Sequence, residues 1–327
     1  MTSNPTIWEE LTVVLLACDR EDLATLALAS LERQHIKPGR IIVSDDSSSD
    51  EVRNLTLGIN GLNVDYRRGP RNGQSANLRS AIALVTTDFL MVLHDDDLLD
   101  EHFIQVAHQH RNERFDVFLS GLRYISFSGA ELPHLTAARS QQRGKHLAEG
   151  RNELKNPLGA VRPLLISQVL SPFQGTVFNR TALNGWLADS SRGDLDDYWI
   201  SVHLAQAPVV LIYDARLLCD YRVHADSVAN RGGKYATETV AILREVAEIS
   251  QFSEFRPELR KKARAKAVDW AYAEILYGSF ESAKRMLAEA FRVPKSLREL
   301  VLWTALRSPL KHLLRYRVTR RSAKTIR

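Results

Sequence analysis

The chain has 327 residues, about twice the usual single-domain length of roughly 150, so two domains or one large domain with an appendage is expected. Hydrophobic residues make up 44% and charged residues 25%, which excludes a disordered or fibrous chain. The net charge of +5 is uneven: residues 292–327 hold eleven Lys or Arg and one acid, Glu299, while residues 1–291 hold 33 basic and 38 acidic groups, a net of −5. A nucleic-acid binder would spread cations over its body, whereas a mildly acidic body with a basic end suits an acidic surface such as anionic lipid.

Other classes are disfavoured on similar grounds. The N-terminal MTSNPTIWEE lacks the basic-then-apolar layout of a signal peptide. No uncharged apolar run reaches the length of about eighteen residues that a membrane span needs. Cys18 and Cys219 both sit in apolar runs and read as reduced core residues rather than a disulfide framework. A cytoplasmic protein, peripheral on the inner face of the membrane if the tail binds lipid, is the expectation.

In chain order, Leu11 to Ala17 (LTVVLLA) is apolar and rich in β-branched residues, the pattern of a strand buried on both faces. Asp22 to Gln34 carries apolar residues at helical spacing, and Pro38-Gly39 interrupts the chain. Arg40 to Ser44 reads as a second strand, with Asp50 as a helix cap after it. Asn63 to Arg67 reads as a third strand. Turn signals follow at Gly69-Pro70 and Asn72-Gly73, then a helix over Ser75 to Val85. Asp88 to Leu93 is another buried strand, ending at His94-Asp95-Asp96-Asp97. This alternation predicts an α/β fold, a Rossmann-like, mostly parallel sheet with helices on both faces. Val209 to Tyr213 and Leu217 to Asp220 are later strand-like stretches.

The acids stand at strand ends. Asp45-Asp46 follows the second strand and Asp95-Asp96-Asp97 the later one, and open parallel sheets bind ligands outside the carboxyl ends of their strands. Both clusters should therefore converge on one crevice. Neither a GxGxxG nor a Walker-type loop is present, so phosphates need another partner, and a hard cation held by carboxylates would serve. Three adjacent carboxylates repel one another, and a divalent metal relieves that repulsion; the plain alternative is a polar strand end running into a helix cap at Asp97 or Asp100. Asp45-Asp46 could accept a hydrogen bond from a base, or simply belong to a capped turn. Asn77 lies in a turn and helix start whose amides could face the same crevice. Gly193-Asp194-Leu195-Asp196-Asp197 opens a helix, where acids suit the helix dipole or supply a general base. His224, after Tyr221-Arg222-Val223, is structural or completes a mixed oxygen and nitrogen metal site.

Taken together, Ala17-Cys18-Asp19-Arg20, VSDDSSSD, NGQSANLRSAIA, FLMVLHDDDLL, DLDDYW and YRVH resemble, in order and spacing, a family-two glycosyltransferase over roughly residues 10–225. The resemblance implies a GT-A fold and transfer from a nucleotide-sugar donor, a UDP-sugar above all, to a glycan or lipid-linked acceptor. It implies nucleotide contacts at Ala17, Asp19, Asp45, Asp46, Asn77, Asp95 and Asp96. It implies a divalent cation, Mn²⁺ or Mg²⁺, on Asp96, Asp97 and His224. His94 stands where some members carry an acid. The acidic pair implied to hold the catalytic base is Asp196-Asp197, with Asp197 favoured. The implied reaction inverts the anomeric centre. A nucleotidyltransferase, or an inactive nucleotide-sugar-binding scaffold, are the alternatives from other classes.

The expected catalytic domain is 1–235, and 236–327 an all-helical region, with helices over Glu238 to Ser250, Pro257 to Tyr277 and Phe280 to Phe291. The last pair resembles one tetratricopeptide-type hairpin, which is only a packing device. Beyond Pro294, leucines at helical spacing interleave with cations and predict either an interfacial helix or a helix packed on the protein with a solvated tail. The loop Ala225 to Lys234 is a candidate lid over the donor, or a solvent loop.

Overall fold

In the computed structural model, the residues described are 6–59, 61–155, 157–188, 195–224, 233–277, 279–290, 300–302, 304 and 306. They form two compact units, Met1–His224 and Ala225–Arg327.

The first unit is a nine-stranded sheet whose main path runs β3-β2-β1-β4-β8-β6-β9-β5, with β7 paired to β9. Its first half is the predicted alternation: β1 (Thr6–Ala17), α1 (Glu21–Glu32), β2 (Ile36–Asp45), α2 (Glu51–Leu57), β3 (Val64–Arg68), α3 (Gln74–Ile82) and β4 (Phe89–His94). β1, β2, β3 and β4 are all parallel to their neighbours in this half. The chain steps outward from β1 to β3 and then returns to β1's other edge for β4. The crevice of an open sheet lies at such a reversal.

β1 and β4 alternate faces. Leu11, Val13, Leu15, Met91 and Leu93 pack with Ala24, Ala27, Leu28 and Leu31 of α1 and with Phe103, Ile104 and Ala107 of α4 (Phe103–Gln109). α3 lies against β1 and β2 through buried Leu78, Ala81 and Ile82. Each buried Leu, Ile or Phe contributes roughly 1.5–3 kcal/mol. Two-sided burial is why these strands read as continuous apolar runs.

The second half contains β5 (Leu98–Leu99), α4, β6 (Val117–Ser126), α5 (Pro133–Gly144), β7 (Gly150–Leu154), α6 (Pro157–Ala160) continued by a π-helical stretch over Val161–Ile166, β8 (Thr176–Asn179), α7 (Asn184–Ala188), α8 (Asp196–Leu204) and β9 (Val209–Val223). Here β8 is antiparallel to β4 and β6, while β9 runs parallel to β6. The two strand-like stretches expected at 209–213 and 217–220 are one strand, with register shifts opposite Ser120 and Gly121 marking the interruption. Gly121 is needed there, because a Cβ would lie 2.6 Å from the Ala215 carbonyl oxygen.

Two expectations are corrected. Cys219 is buried but Cys18 is exposed, because it stands past the end of β1 rather than within it. Asp50 occupies the N-cap of α2 without a side-chain cap bond; its carboxylate pairs with Arg68 instead.

The second unit is helical among its described residues: α9 (Gly233–Glu248), α10 (Arg256–Tyr277) and α11 (Phe280–Ala290). Val268, Ala271, Ile275, Ala283 and Leu287 share an apolar cluster with Leu302 and Leu306. No helix of the described residues is long and apolar enough to cross a membrane. The candidate lid residues 225–232, Gly193-Asp194, and most of the basic tail lie outside the described residues.

Candidate active site

Three backbone hydrogen bonds extend the ladder past the strand ends. Asp95 N donates to Leu16 O at 3.0 Å, Asp46 N to Ala17 O at 2.9 Å, and Gly69 N to Asp45 O at 2.8 Å. The acids of β2 and β4 therefore end on one level beside Ala17, as their positions in the sequence imply.

The turn after β1 locks to the turn after β2. Asp19 adopts φ 49°, a left-handed conformation that Asp tolerates better than most residues. Its amide donates to Ser47 Oγ at 2.8 Å, and its Oδ1 accepts from Ser48 N at 2.6 Å. These bonds hold the Asp19 carboxyl below its ordinary range. Asp45 is fully buried; Tyr66 Oη donates to its Oδ2 at 2.7 Å and Arg68 lies at 3.3 Å. Burial and this carboxylate push the Tyr66 hydroxyl up to about 12. Asp46 is only half-buried and accepts from Arg71 N at 2.9 Å. Asn77 is committed to β2, accepting from Ser44 Oγ at 2.6 Å and donating to Ser44 O at 3.0 Å. Asp46 and Asn77 both crowd Gly69, where a Cβ would lie 2.1 Å from Asp46 Oδ1 and 2.5 Å from Asn77 Oδ1. Of the two acids after β2, Asp46 is the one with a partly exposed carboxylate, whereas Asp45 is fully buried and held by Tyr66 and Arg68.

The triplet after β4 is buried at all three positions. Asp95 accepts from Cys18 N at 2.9 Å and pairs with Arg20. Burial pushes its carboxyl up to about 7 in spite of that guanidinium. Asp96 Oδ2 lies 2.7 Å from Arg20 Nη1 and 2.9 Å from His224 Nε2. Burial works to raise Asp96, but the His94, Arg20 and His224 cations or donors prevail and hold it low. Asp97 Oδ1 accepts from Arg222 N at 2.9 Å, while its Oδ2 is buried without a partner. Burial, then the Asp96 charge, drives the Asp97 carboxyl well above its ordinary value.

A buried orphan oxygen needs an explanation, and a cation supplies one. One ligand atom each from His94, Asp96 and Asp97 lies within 4.8 Å of the others. Burial works against the charged form of His94 and lowers it, the direction that favours the neutral imidazole a ligand needs. Its Nδ1 is 2.9 Å from Gln174 Nε2. The donor set fits a divalent cation: Asp96 and Asp97 as expected, His224 beside Asp96, and His94 as an imidazole that the sequence pattern marked only as a departure.

Asp196 and Asp197 diverge in role. Asp196 is buried, and its Oδ1 lies 3.3 Å from Arg79 Nη2; Arg79 also stacks 4.4 Å from the Trp186 ring centre. Asp197 is half-buried. It accepts from Ser171 Oγ and, at 2.8 Å, from Tyr198 N. Burial raises Asp197 against both hydrogen bonds. Tyr221 is pushed up first by burial and then by Asp97, Tyr124, Asp96 and Asp197.

Three residues in this neighbourhood are supplied by distant segments. Arg20 bridges Asp95 and Asp96, Arg222 donates Nε to Asp96 O at 2.9 Å, and Ser171 contacts Asp197. Arg20 and Arg222 lie inside motifs and Ser171 does not, and nothing in the spacing of any of them announces these contacts.

The geometry agrees with comparisons to known proteins. The model of Glycosyl transferase family 2 matches residues 12–164. A GalNAc(5)-diNAcBac-PP-undecaprenol beta-1,3-glucosyltransferase from Campylobacter jejuni is 29% identical over 114 residues, 32% of this chain and 36% of that protein. The match thus spans about a third of that relative's length. S. aureus TarS 1-349 in complex with UDP-GlcNAc superposes with a TM-score of 0.61 at 14% identity, over 93% of this chain and 89% of that one. Mannosyltransferase PcManGT from Pyrobaculum calidifontis, in complex with GDP-Man and Mn²⁺, gives a TM-score of 0.55 at 15% identity, over 97% and 85%. At such identities the structural likeness establishes the fold. Residues 12–164, with their acids at the ends of β2 and β4, thus match the family-two glycosyltransferase model on a fold shared with these GT-A structures.

Proposed function

We propose that the chain, with a catalytic domain over residues 1–235, is an inverting glycosyltransferase. It moves a sugar from a nucleoside-diphosphate sugar, a UDP-sugar first, to a hydroxyl of a glycan or lipid-linked acceptor. The observation that carries this reading is the buried triplet with its orphan Asp97 Oδ2, together with the raised carboxyl of Asp197 at the start of α8. The named relatives support the donor and acceptor classes, since one acts on a polyprenol-linked glycan and two hold nucleotide sugars.

Asp46, with Asp19 and Ala17, lines the base end of the crevice, and Asn77 holds that wall in place. Asp95 orients the turn through Cys18 N. A divalent cation on Asp96 and Asp97, with His224 and His94 at hand, would neutralise charge on the departing diphosphate. Arg20 supplies a fixed cation to the same oxygens. Asp197, carrying a carboxyl poised above the ordinary range, takes the proton from the acceptor hydroxyl. Ser171 and the Tyr198 amide hold that carboxylate in one orientation. Attack from the face opposite the diphosphate inverts the anomeric carbon. Asp196, locked by Arg79, keeps α8 in place.

Calorimetric titration with UDP, GDP and their sugar conjugates, with and without Mn²⁺, tests the reading. Binding of at least one nucleotide, tightened by the metal and weakened by Asp97→Asn, is expected. A protein that binds none of them would not be a transferase of this kind, and equal affinity with and without metal would remove the cation from the mechanism.

A further inference from the structure

A second group of ligand-type side chains lies outside this crevice. His35 follows α1, and Glu101 and His102 precede α4. One ligand atom from each lies within 4.8 Å of the others, and all three residues are exposed. Glu101 Oε1 is 3.9 Å from His35 Nε2 and 4.0 Å from His102 Nδ1.

The backbone beneath them is fixed by bonds that have no part in the transfer chemistry. His35 N donates to Glu101 O at 2.9 Å. The buried Gln34 amide spans the gap, donating to Asp100 O at 2.7 Å and accepting from Ile104 N at 3.0 Å. Leu99 N donates to buried Ser30 Oγ at 3.2 Å. The two imidazoles meet edge to face, with ring centres 4.3 Å apart. Asp100 Oδ1 lies 3.1 Å from His102 Nδ1; a carboxylate can only accept, so Nδ1 carries the proton. A carboxylate that fixes the ring of a histidine in this way is the usual outer partner of a metal-bound imidazole.

We propose that His35, Glu101 and His102 form a preorganised surface site for a late first-row transition ion, Zn²⁺ above all. Tetrahedral zinc with bonds of about 2.0–2.1 Å sets donor atoms roughly 3.4 Å apart. With Nδ1 held by Asp100, His102 would ligate through Nε2, and the three exposed side chains would rotate to close the set around the ion. Two imidazoles select Zn²⁺, Ni²⁺ or Cu²⁺ over Mg²⁺ and Ca²⁺, which prefer oxygen alone. The charges of Glu101 and Asp100 balance a dication. Water fills the remaining position. The ion would clip the end of α1 to the segment that leaves the catalytic triplet through β5, and so fasten both walls of the crevice at their far ends.

The test titrates Zn²⁺ into the full-length protein and into His35→Ala/His102→Ala, each in excess Mg²⁺. The wild type should bind one more equivalent than the double variant. Glu101→Gln should weaken that equivalent by at least the roughly 10–100-fold seen for lost outer partners. Cu²⁺ bound at low stoichiometry should show nitrogen hyperfine coupling from two imidazoles by electron paramagnetic resonance, lost in either single alanine variant. Both singles serve if the double variant does not fold. Equal Zn²⁺ stoichiometry and affinity in wild type and variants would overturn the proposal, as would a Cu²⁺ spectrum unchanged by His35→Ala and His102→Ala.

Discussion

Asp197 and Asp196 are adjacent in sequence and differ in chemistry because of what each touches. Replacing Asp197 by Asn keeps the shape and the acceptor for Tyr198 N but removes the base. Transfer should fall by about 10²-fold or more, with donor affinity nearly unchanged in calorimetry. The pH profile gives an independent reading: burial raises Asp197, so the acid limb of kcat should lie above the ordinary carboxylate range and vanish in Asp197→Asn. Asp196→Asn should instead lower stability, since it removes the buried charge that faces Arg79 Nη2 at 3.3 Å. The triplet makes a second prediction. Asp95 and Asp97 are both raised by burial, so the folded state binds protons more tightly than the unfolded chain. Stability without metal should therefore rise as pH falls from about 8 toward 5, as linkage requires when the native state holds the extra protons. Saturating Mg²⁺ should flatten or reverse that slope. His94, His108 and His203 are lowered and oppose this slope, so the test is the difference from Asp95→Asn: a variant whose melting temperature follows the same pH slope without metal would contradict the assignment. The acids themselves were legible, because strand-end position is a sequence property. Asp97's orphan oxygen, His94's place in the donor set and Ser171's grip on Asp197 were not, since each depends on side-chain packing between segments far apart in the chain.

Elements show the same division. β1, β2 and β4 were readable because burial on two faces demands an uninterrupted apolar run. β7 (GRNEL) lies at an edge and is polar at three consecutive positions, and the stretch 161–166 carries Pro163 inside a helical turn. α5 inverts the usual pattern. Its buried residues are Arg139 and Arg143, so apolar periodicity cannot find it. Arg143 donates to Ser120 O at 2.6 Å and Val169 O at 3.0 Å, and Arg139 donates to Val169 O at 2.9 Å and to Ser171 O. Burial lowers Arg143 to about 9, yet it remains a cation at neutral pH. α5 thus acts as a clamp that ties β6 to the turn bearing Ser171. Arg143→Met should cost about 2–4 kcal/mol in denaturant unfolding, because it leaves buried carbonyls unpaired. Arg139→Met should also slow transfer more than it weakens donor binding, since it frees the turn that orients Asp197. On the opposite wall, Gly69→Ala should push Asp46 and Asn77 apart and weaken nucleotide binding by about tenfold, with a smaller effect on melting temperature. Unchanged nucleotide affinity in Gly69→Ala would place the base contact away from Asp46.

At the scale of the whole molecule, the chain is electrically polar, with a net of −5 over residues 1–291 and +10 over 292–327. The acceptor classes proposed above include a lipid-linked one, so a basic segment that meets an anionic leaflet would bring the chain to the surface where such a substrate lies. Each Lys or Arg near such a surface contributes on the order of 1 kcal/mol. Against this, Leu302 and Leu306 are buried with α10 and α11, so the start of the tail contributes to the core of the helical unit. Leu300 and Val301 are 48% and 49% exposed. If the tail meets lipid, the roles divide along it: Leu302 and Leu306 serve the helical unit, and the cations from Arg307 onward, which lie outside the described residues, would supply the attraction. Removing residues 307–327 deletes eight of the eleven tail cations and leaves Leu302 and Leu306 in place. That truncation should keep the melting temperature and the nucleotide affinity, yet abolish sedimentation with anionic liposomes at low salt. Leu306→Ala should do the reverse, costing about 2–4 kcal/mol of stability while sparing liposome binding. The full chain should detach from the same liposomes near 1 M salt, where the screening length falls to roughly 3 Å, and should ignore neutral ones throughout. Failure of the full chain to sediment with anionic liposomes at low salt would end the membrane reading and leave the tail cations as a solvated surface.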